Sequence, residues 1–99
     1  MRFIDLQLDN TEYPIPEEKH VVKIGRSRYN AITIPNTEFS RDVSGEHFFF
    51  YPNTLTIRNN GRKGTSLNGK ELPETEEVRI VDGDIIRMGS YYQLLYRAE

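Results

Sequence analysis

A chain of 99 residues, 36% hydrophobic and 28% charged, has the size and composition of a single globular domain spanning residues 1–99. No apolar run approaches the roughly 18 residues of a membrane span, and Met1-Arg2-Phe3-Ile4-Asp5 meets an acid before any signal-type apolar stretch. With no cysteine, disulfides, thiolate metal sites and thiol nucleophiles are excluded, which fits a reducing, cytoplasmic setting.

The elements follow in chain order. Phe3, Ile4, Leu6 and Leu8 predict a first strand over Arg2–Asp9. Tyr13-Pro14-Ile15-Pro16 is too rich in proline for a central strand. His20–Ile24 and Ala31–Ile34 are the next strands, followed by a long polar connection over 35–46. Phe48-Phe49-Phe50-Tyr51 makes a fully apolar strand after His47, and Leu55–Arg58 alternates behind the Pro52-Asn53 turn. Asn60-Gly61, Asn68-Gly69 and Asp82-Gly83 are turn signals. Strands over Glu77–Val81, Asp84–Met88 and Tyr91–Tyr96 complete roughly ten, the pattern of an all-β sandwich with loops gathered at its ends.

The formal net charge of −2 hides a segregation. Residues 19–70 hold nine Lys and Arg against three Asp and Glu, while the remainder holds four against twelve. The basic stretch also holds two sets of glycine-containing loops. Gly25-Arg26 ends a strand where the chain turns, a place that suits a glycine with positive φ. The fixed fork of an arginine matches a phosphate bidentately, and Arg28 and Arg41 add charge nearby in sequence. Ser44-Gly45-Glu46-His47 offers a hydroxyl and the N–H groups of a turn. Gly61-Arg62-Lys63-Gly64 holds two adjacent cations between glycines, without the Gly-Lys-Ser/Thr ending or the following helix of a nucleotide phosphate loop. Such loops collect donors for an anion, and a phosphate ester suits them best. His47 lacks a nucleophile-elbow sequence or a carboxylate orienter, and His20 stands without ligand spacing, so neither triad catalysis nor a metal site is expected.

Gly25-Arg26, Ser44-x-x-His47 and Gly64-Thr65-Ser66-Leu67-Asn68-Gly69, in this order, resemble a forkhead-associated (FHA) domain, as does the close Asp82-Gly83-Asp84-Ile85-Ile86-Arg87-Met88-Gly89. The resemblance covers about residues 20–97. It implies an FHA-like sandwich of about eleven short strands, with no cofactor, that binds phosphothreonine peptides at one end. Arg26 and Ser44 would bind the phosphate and Gly45 would lie beside it. His47 would brace the binding loop, Gly25 and Gly64 would shape the loops, and Asn68 would organise the second one. Arg62 and Lys63 stand where the family usually has a hydroxyl residue and an Asn, adding charge and removing an amide clamp on the peptide.

The implied partner is a phosphothreonine-containing protein made by a Ser/Thr kinase, not a nucleic acid or a membrane. Two alternatives stay open: an FHA-like scaffold or oligomerisation domain that binds without phosphate, and, more remotely, a small enzyme. A phosphate on Thr37, in the long polar connection, would stand near the basic loops and offers a self-regulatory reading.

Overall fold

The computed structural model describes residues 1–99, which form eleven strands and one short 3₁₀ turn. The strands are β1 (Arg2–Leu6), β2 (Thr11–Pro14), β3 (Val22–Gly25), β4 (Ile32–Thr33), β5 (Phe48–Tyr51), β6 (Thr56–Asn59), β7 (Thr65–Leu67), β8 (Lys70–Glu71), β9 (Val78–Arg79), β10 (Ile85–Met88) and β11 (Tyr92–Ala98). They make a six-stranded sheet in the order β2-β1-β11-β10-β7-β8 and a five-stranded sheet in the order β4-β3-β5-β6-β9. The short β3–β4 pair is parallel. Between the sheets lies one core of 18 buried apolar residues, with Phe48, Phe50, Tyr92 and Tyr96 its largest members.

The period-2 pattern decides which side chains enter this core. In β11, Tyr92, Leu94 and Tyr96 point inward and Gln93 points out. The uniformly apolar β5 resolves into the same alternation: Phe48 and Phe50 are buried and Phe49 lies on the outer face. There Lys23 of β3 and Arg58 of β6, its register partners, bring their cations to 5.9 and 5.4 Å from the Phe49 ring centroid. Those charged side chains let an aromatic residue sit on a solvent-facing sheet.

The first strand stops at Leu6, earlier than its apolar pattern predicts, and Leu8 is exposed. The proline-rich segment does supply a strand, β2, at the sheet edge, where a missing N–H costs no ladder bond. The polar connection over 35–46 contains the 3₁₀ turn Glu38–Ser40. Thr37 caps that turn reciprocally with Ser40, and Ser40 is buried. No helix is long and apolar enough to cross a membrane.

Candidate functional site

Four connections meet at one end of the sandwich: β3–β4, β4–β5, β6–β7 and β10–β11. The first two run side by side, because Arg26 N donates to Ser44 O at 3.1 Å and Ser27 N to Gly45 O at 3.1 Å. Gly25 is needed for this close approach. A Cβ there would lie 2.7 Å from the Ser44 carbonyl oxygen and closer still to that of Gly45, and backbone atoms cannot give way. The expected positive φ is not what Gly25 supplies; in these connections it is Gly64, at φ +80°, and Gly89, at φ +62°, that use the left-handed region.

His47 joins this pair of connections to β6–β7. It is completely buried, and both ring nitrogens have backbone partners. Ser44 N–H donates to Nδ1 at 2.9 Å, so Nδ1 carries a lone pair. Nε2, 2.8 Å from the Gly64 carbonyl, must then carry the proton and donate. Burial holds the His47 pKa below its ordinary value, against a smaller opposing contribution from the Gly64 bond, so the neutral ring is favoured. The ring has no free lone pair for a proton from Ser44, and the Ser44 hydroxyl faces elsewhere: its oxygen accepts from Arg62 N at 3.2 Å. A Ser–His nucleophile is therefore not assembled.

The β6–β7 loop is closed by Asn59, which the sequence reading passed over. Its Oδ1 accepts from Gly61 N at 3.0 Å and from the buried Thr65 hydroxyl at 2.6 Å. The turn signal was visible in Asn59-Asn60-Gly61, and an Asn two residues before a Gly is the pattern of an Asx turn. Asn68 works elsewhere. Met88 pairs with Thr65 and Ile86 with Leu67, which puts Asn68 at the opposite end of β7 from Gly64. There Asn68 donates to Asp84 Oδ1 and accepts from Ile85 N, fastening the β7–β8 hairpin to the start of β10. It thus fixes the far end of the Asn60–Gly69 stretch, away from Gly64.

Together the connections enclose a cleft of about 420 Å³ lined by Arg26, Arg41, Ser44, Gly45, Arg62 and Lys63, with Asp42 and Val43. Arg26 is half-buried and is aimed by a bond from Nε to the Val43 carbonyl at 2.5 Å. A single longer contact of 3.5 Å links its Nη1 to Asn36 Oδ1, leaving most of the guanidinium fork unpaired. None of the four cleft cations lies within 4.0 Å of a carboxylate, although Lys23, Arg2 and Arg97 all find ion-pair partners elsewhere. The Ser44 hydroxyl accepts one bond and keeps its own proton to donate. No protein acceptor takes the Gly45 N–H.

Asp42 is the one acid in the cleft, and it holds the cleft's wall together. Its carboxylate accepts from the Ser90 N–H at 2.9 Å and the Ser90 hydroxyl at 2.7 Å, tying the β4–β5 connection to the β10–β11 turn. Those bonds, the Ser90 hydroxyl foremost, lower its pKa, with a smaller contribution from Lys63.

Of the arginines expected to add charge, Arg41 reaches the cleft and Arg28 does not. Arg28 lies over the Tyr29 ring, 5.1 Å from its centroid, and donates to the Tyr29 hydroxyl. The Thr37 hydroxyl is 3.0 Å from that of the buried Tyr92 and accepts from Phe39 N. It is part of the cap that shapes the loop, so modification there would first break that cap.

A sandwich whose end loops hold unpaired cations, a hydroxyl and a free N–H around one cleft has the donor set that suits an anion. A family model for the FHA domain matches residues 22–89, and the chain belongs to that family. No curated protein matches the chain. Among solved structures, an FHA domain described for phosphothreonine-dependent FHA domain interactions is similar over 99% of this chain and 96% of its own, at 22% identity and a TM-score of 0.80. The N-terminal FHA domain of S. cerevisiae Rad53p, solved with a phosphothreonine peptide, is similar over 99% and 93%, at 17% identity and a TM-score of 0.76. The yeast Dun1 FHA domain, in complex with a doubly phosphorylated peptide, is similar over 97% and 72%, at 22% identity and a TM-score of 0.77.

Proposed function

We propose that this chain is a phosphothreonine-peptide-binding module that joins proteins once a Ser/Thr kinase has modified one of them. The observation that carries the reading is the convergence of Arg26, Arg41, Arg62 and Lys63, none ion-paired, around the Ser44 hydroxyl in one cleft. Four cations against the single carboxylate of Asp42 leave an excess of positive charge in the cleft, and a dianionic phosphate offsets it. The likeness to domains solved with phosphothreonine peptides supports a peptide as the carrier of that phosphate. Arg26 and Ser44 hold the phosphate, with Gly45 beside it; Arg62 and Lys63 supply charge from the opposite loop. Gly25, His47 and Gly64 set the geometry. The module binds and does not catalyse, and its partner is a phosphoprotein of the cytoplasm.

The deciding experiment is a titration with matched phosphothreonine, phosphoserine and unmodified peptides. Binding is expected for the phosphothreonine peptide and not for the unmodified one. Equal binding of the two would favour a scaffold that needs no phosphate and would overturn this reading. Affinity is also expected to fall between about 20 mM and about 300 mM salt, because Arg41, Arg62 and Lys63 are exposed and exposed charges are screened over that range. Ser44→Ala removes one donor to an ionised acceptor, at a cost of about 1.5–3 kcal/mol. The charge reversal Lys63→Glu is expected to weaken binding further, since it sets a carboxylate against the phosphate across a cleft already containing Asp42. An unchanged Kd for the folded Lys63→Glu variant would remove Lys63 from the site.

A further inference from the structure

The chain holds seven threonines. The hydroxyls of Thr11, Thr33, Thr37, Thr54, Thr56 and Thr65 are each tied to a partner within the fold. Only that of Thr75 is not. Thr75 lies in the connection between β8 and β9, Pro73-Glu74-Thr75-Glu76-Glu77, and all five of these residues are exposed. None of them makes a backbone hydrogen bond. The segment is fastened only at its ends. Leu72 is buried and its N–H donates to Thr65 O at 2.8 Å, and the Glu77 carboxylate accepts from the Thr56 hydroxyl at 2.6 Å. A stretch with free backbone and no packed side chain can be drawn into another protein's groove without opening the core.

Strand register places this connection at the cleft end of the sandwich. From the Asn68 hairpin, β8 brings the chain back to Thr65, beside Gly64. β9 pairs antiparallel with β6, Val78 opposite Ile57, so the residues before Val78 run past Arg58 toward the β6–β7 connection. The loop stands off its own cleft. None of its residues lines that cleft, and no carboxylate of Glu74, Glu76 or Glu77 lies within 4.0 Å of a cation. Its charge is nevertheless opposite: three carboxylates flank Thr75, while the cleft sets four cations against Asp42.

We propose that Thr75 is a phosphorylation site and that the phosphorylated loop is held in the cleft of a second copy of this chain. The proposal rests on the phosphothreonine reading above. A Ser/Thr kinase with a basic substrate groove fits the acidic flanks of Thr75. It moves the γ-phosphoryl group of ATP to Thr75 Oγ1, releasing ADP and the hydroxyl proton. The modified loop then presents a phosphate and three carboxylates to an excess of cations. Because loop and cleft share one end of the sandwich, two copies meet end to end and each fills the other's cleft. Such a contact is isologous and closes at two instead of growing into a chain. The second engagement is intramolecular, so the pair holds more tightly than one loop in one cleft.

The test begins with the full chain, ATP and an acid-directed Ser/Thr kinase. Mass spectrometry is expected to find phosphate on Thr75 before any other threonine, and a chain left unmodified there overturns the site. The modified protein is then followed by analytical ultracentrifugation over a concentration series. The reference is phosphorylated Arg26→Ala mixed with unmodified parent, in which only one loop can meet one intact cleft. The modified parent is expected to form a dimer at least about tenfold tighter than that mixed pair. Phosphorylated Arg26→Ala alone and kinase-treated Thr75→Ala are expected to stay monomeric, and Thr75→Ala to bind the phosphothreonine peptide titrated above as the parent does. A modified parent that stays monomeric, a dimer that survives Arg26→Ala, or assemblies larger than two would each overturn the inference. If the peptide still binds the unmodified parent, the phosphopeptide reading stands; if it does not, both fall.

Discussion

Arg26→Ala is expected to lower phosphopeptide affinity by at least about tenfold while the protein stays folded. Charge-assisted hydrogen bonds contribute about 1.5–3 kcal/mol each, and micromolar binding totals only about 8 kcal/mol. Removing a bidentate contact therefore takes away a large share of the whole. The change also has a structural side, because Arg26 is half-buried and donates to the Val43 carbonyl. Losing that neutral acceptor's bond costs about 0.5–1.5 kcal/mol, a fall of several degrees in Tm for a domain of this size. Arg26→Lys separates the two effects: it keeps the charge but not the fork, so affinity should fall with a smaller change in salt dependence. The measurements are Kd by titration calorimetry and Tm for the parent and both variants. Partner binding that survives in a folded Arg26→Ala protein would mean the cleft does not hold the phosphate.

What could be read beforehand was the chemistry carried by neighbours in sequence. Gly25-Arg26 and Ser44-x-x-His47 are short motifs whose roles depend on local backbone, and the structure sets them side by side through two backbone bonds. Strand positions were legible for the same reason, because alternation is a local property. Roles that depend on a distant partner were not. Arg28 was expected to add charge to the site, but the adjacent Tyr29 takes its guanidinium. Asp42 is one of three acids in the basic stretch, and its use appears only when Ser90 arrives from another strand turn. Asn59 and Asn68 show the remaining ambiguity: both sit in Asn- and Gly-containing turns, and only the strand register tells which one closes the cleft-side loop.

His47→Ala should behave differently from the cleft substitutions, with stability and binding lost together. The ring is completely buried, and its removal leaves a cavity together with an unpaired Ser44 N–H and Gly64 carbonyl. Truncating a buried ring costs about 3–5 kcal/mol in other proteins, a large part of the 5–15 kcal/mol that holds a typical domain together. Ser44 and Gly64 belong to the two loops that face each other across the cleft, so binding should fall even at temperatures where the variant remains folded.

The same geometry gives a pH dependence. Protonating His47 would put a donor on Nδ1 against the Ser44 N–H, and burial already lowers the folded-state pKa. The unfolded chain therefore binds this proton at higher pH than the folded one. The stability linked to His47 is fully present above the ordinary histidine pKa of about 6.5 and is lost as pH falls toward the lowered folded value. The lowered carboxylates of Asp9 and Asp42 act in a separate window, below their ordinary value of 3.8. Denaturant midpoints measured from pH 7.5 down to 5 should accordingly decline for the parent, and the decline should flatten in His47→Gln. A parent that is equally stable across that range, or a His47→Ala variant that melts with the parent, would show that the ring does not hold the two loops together.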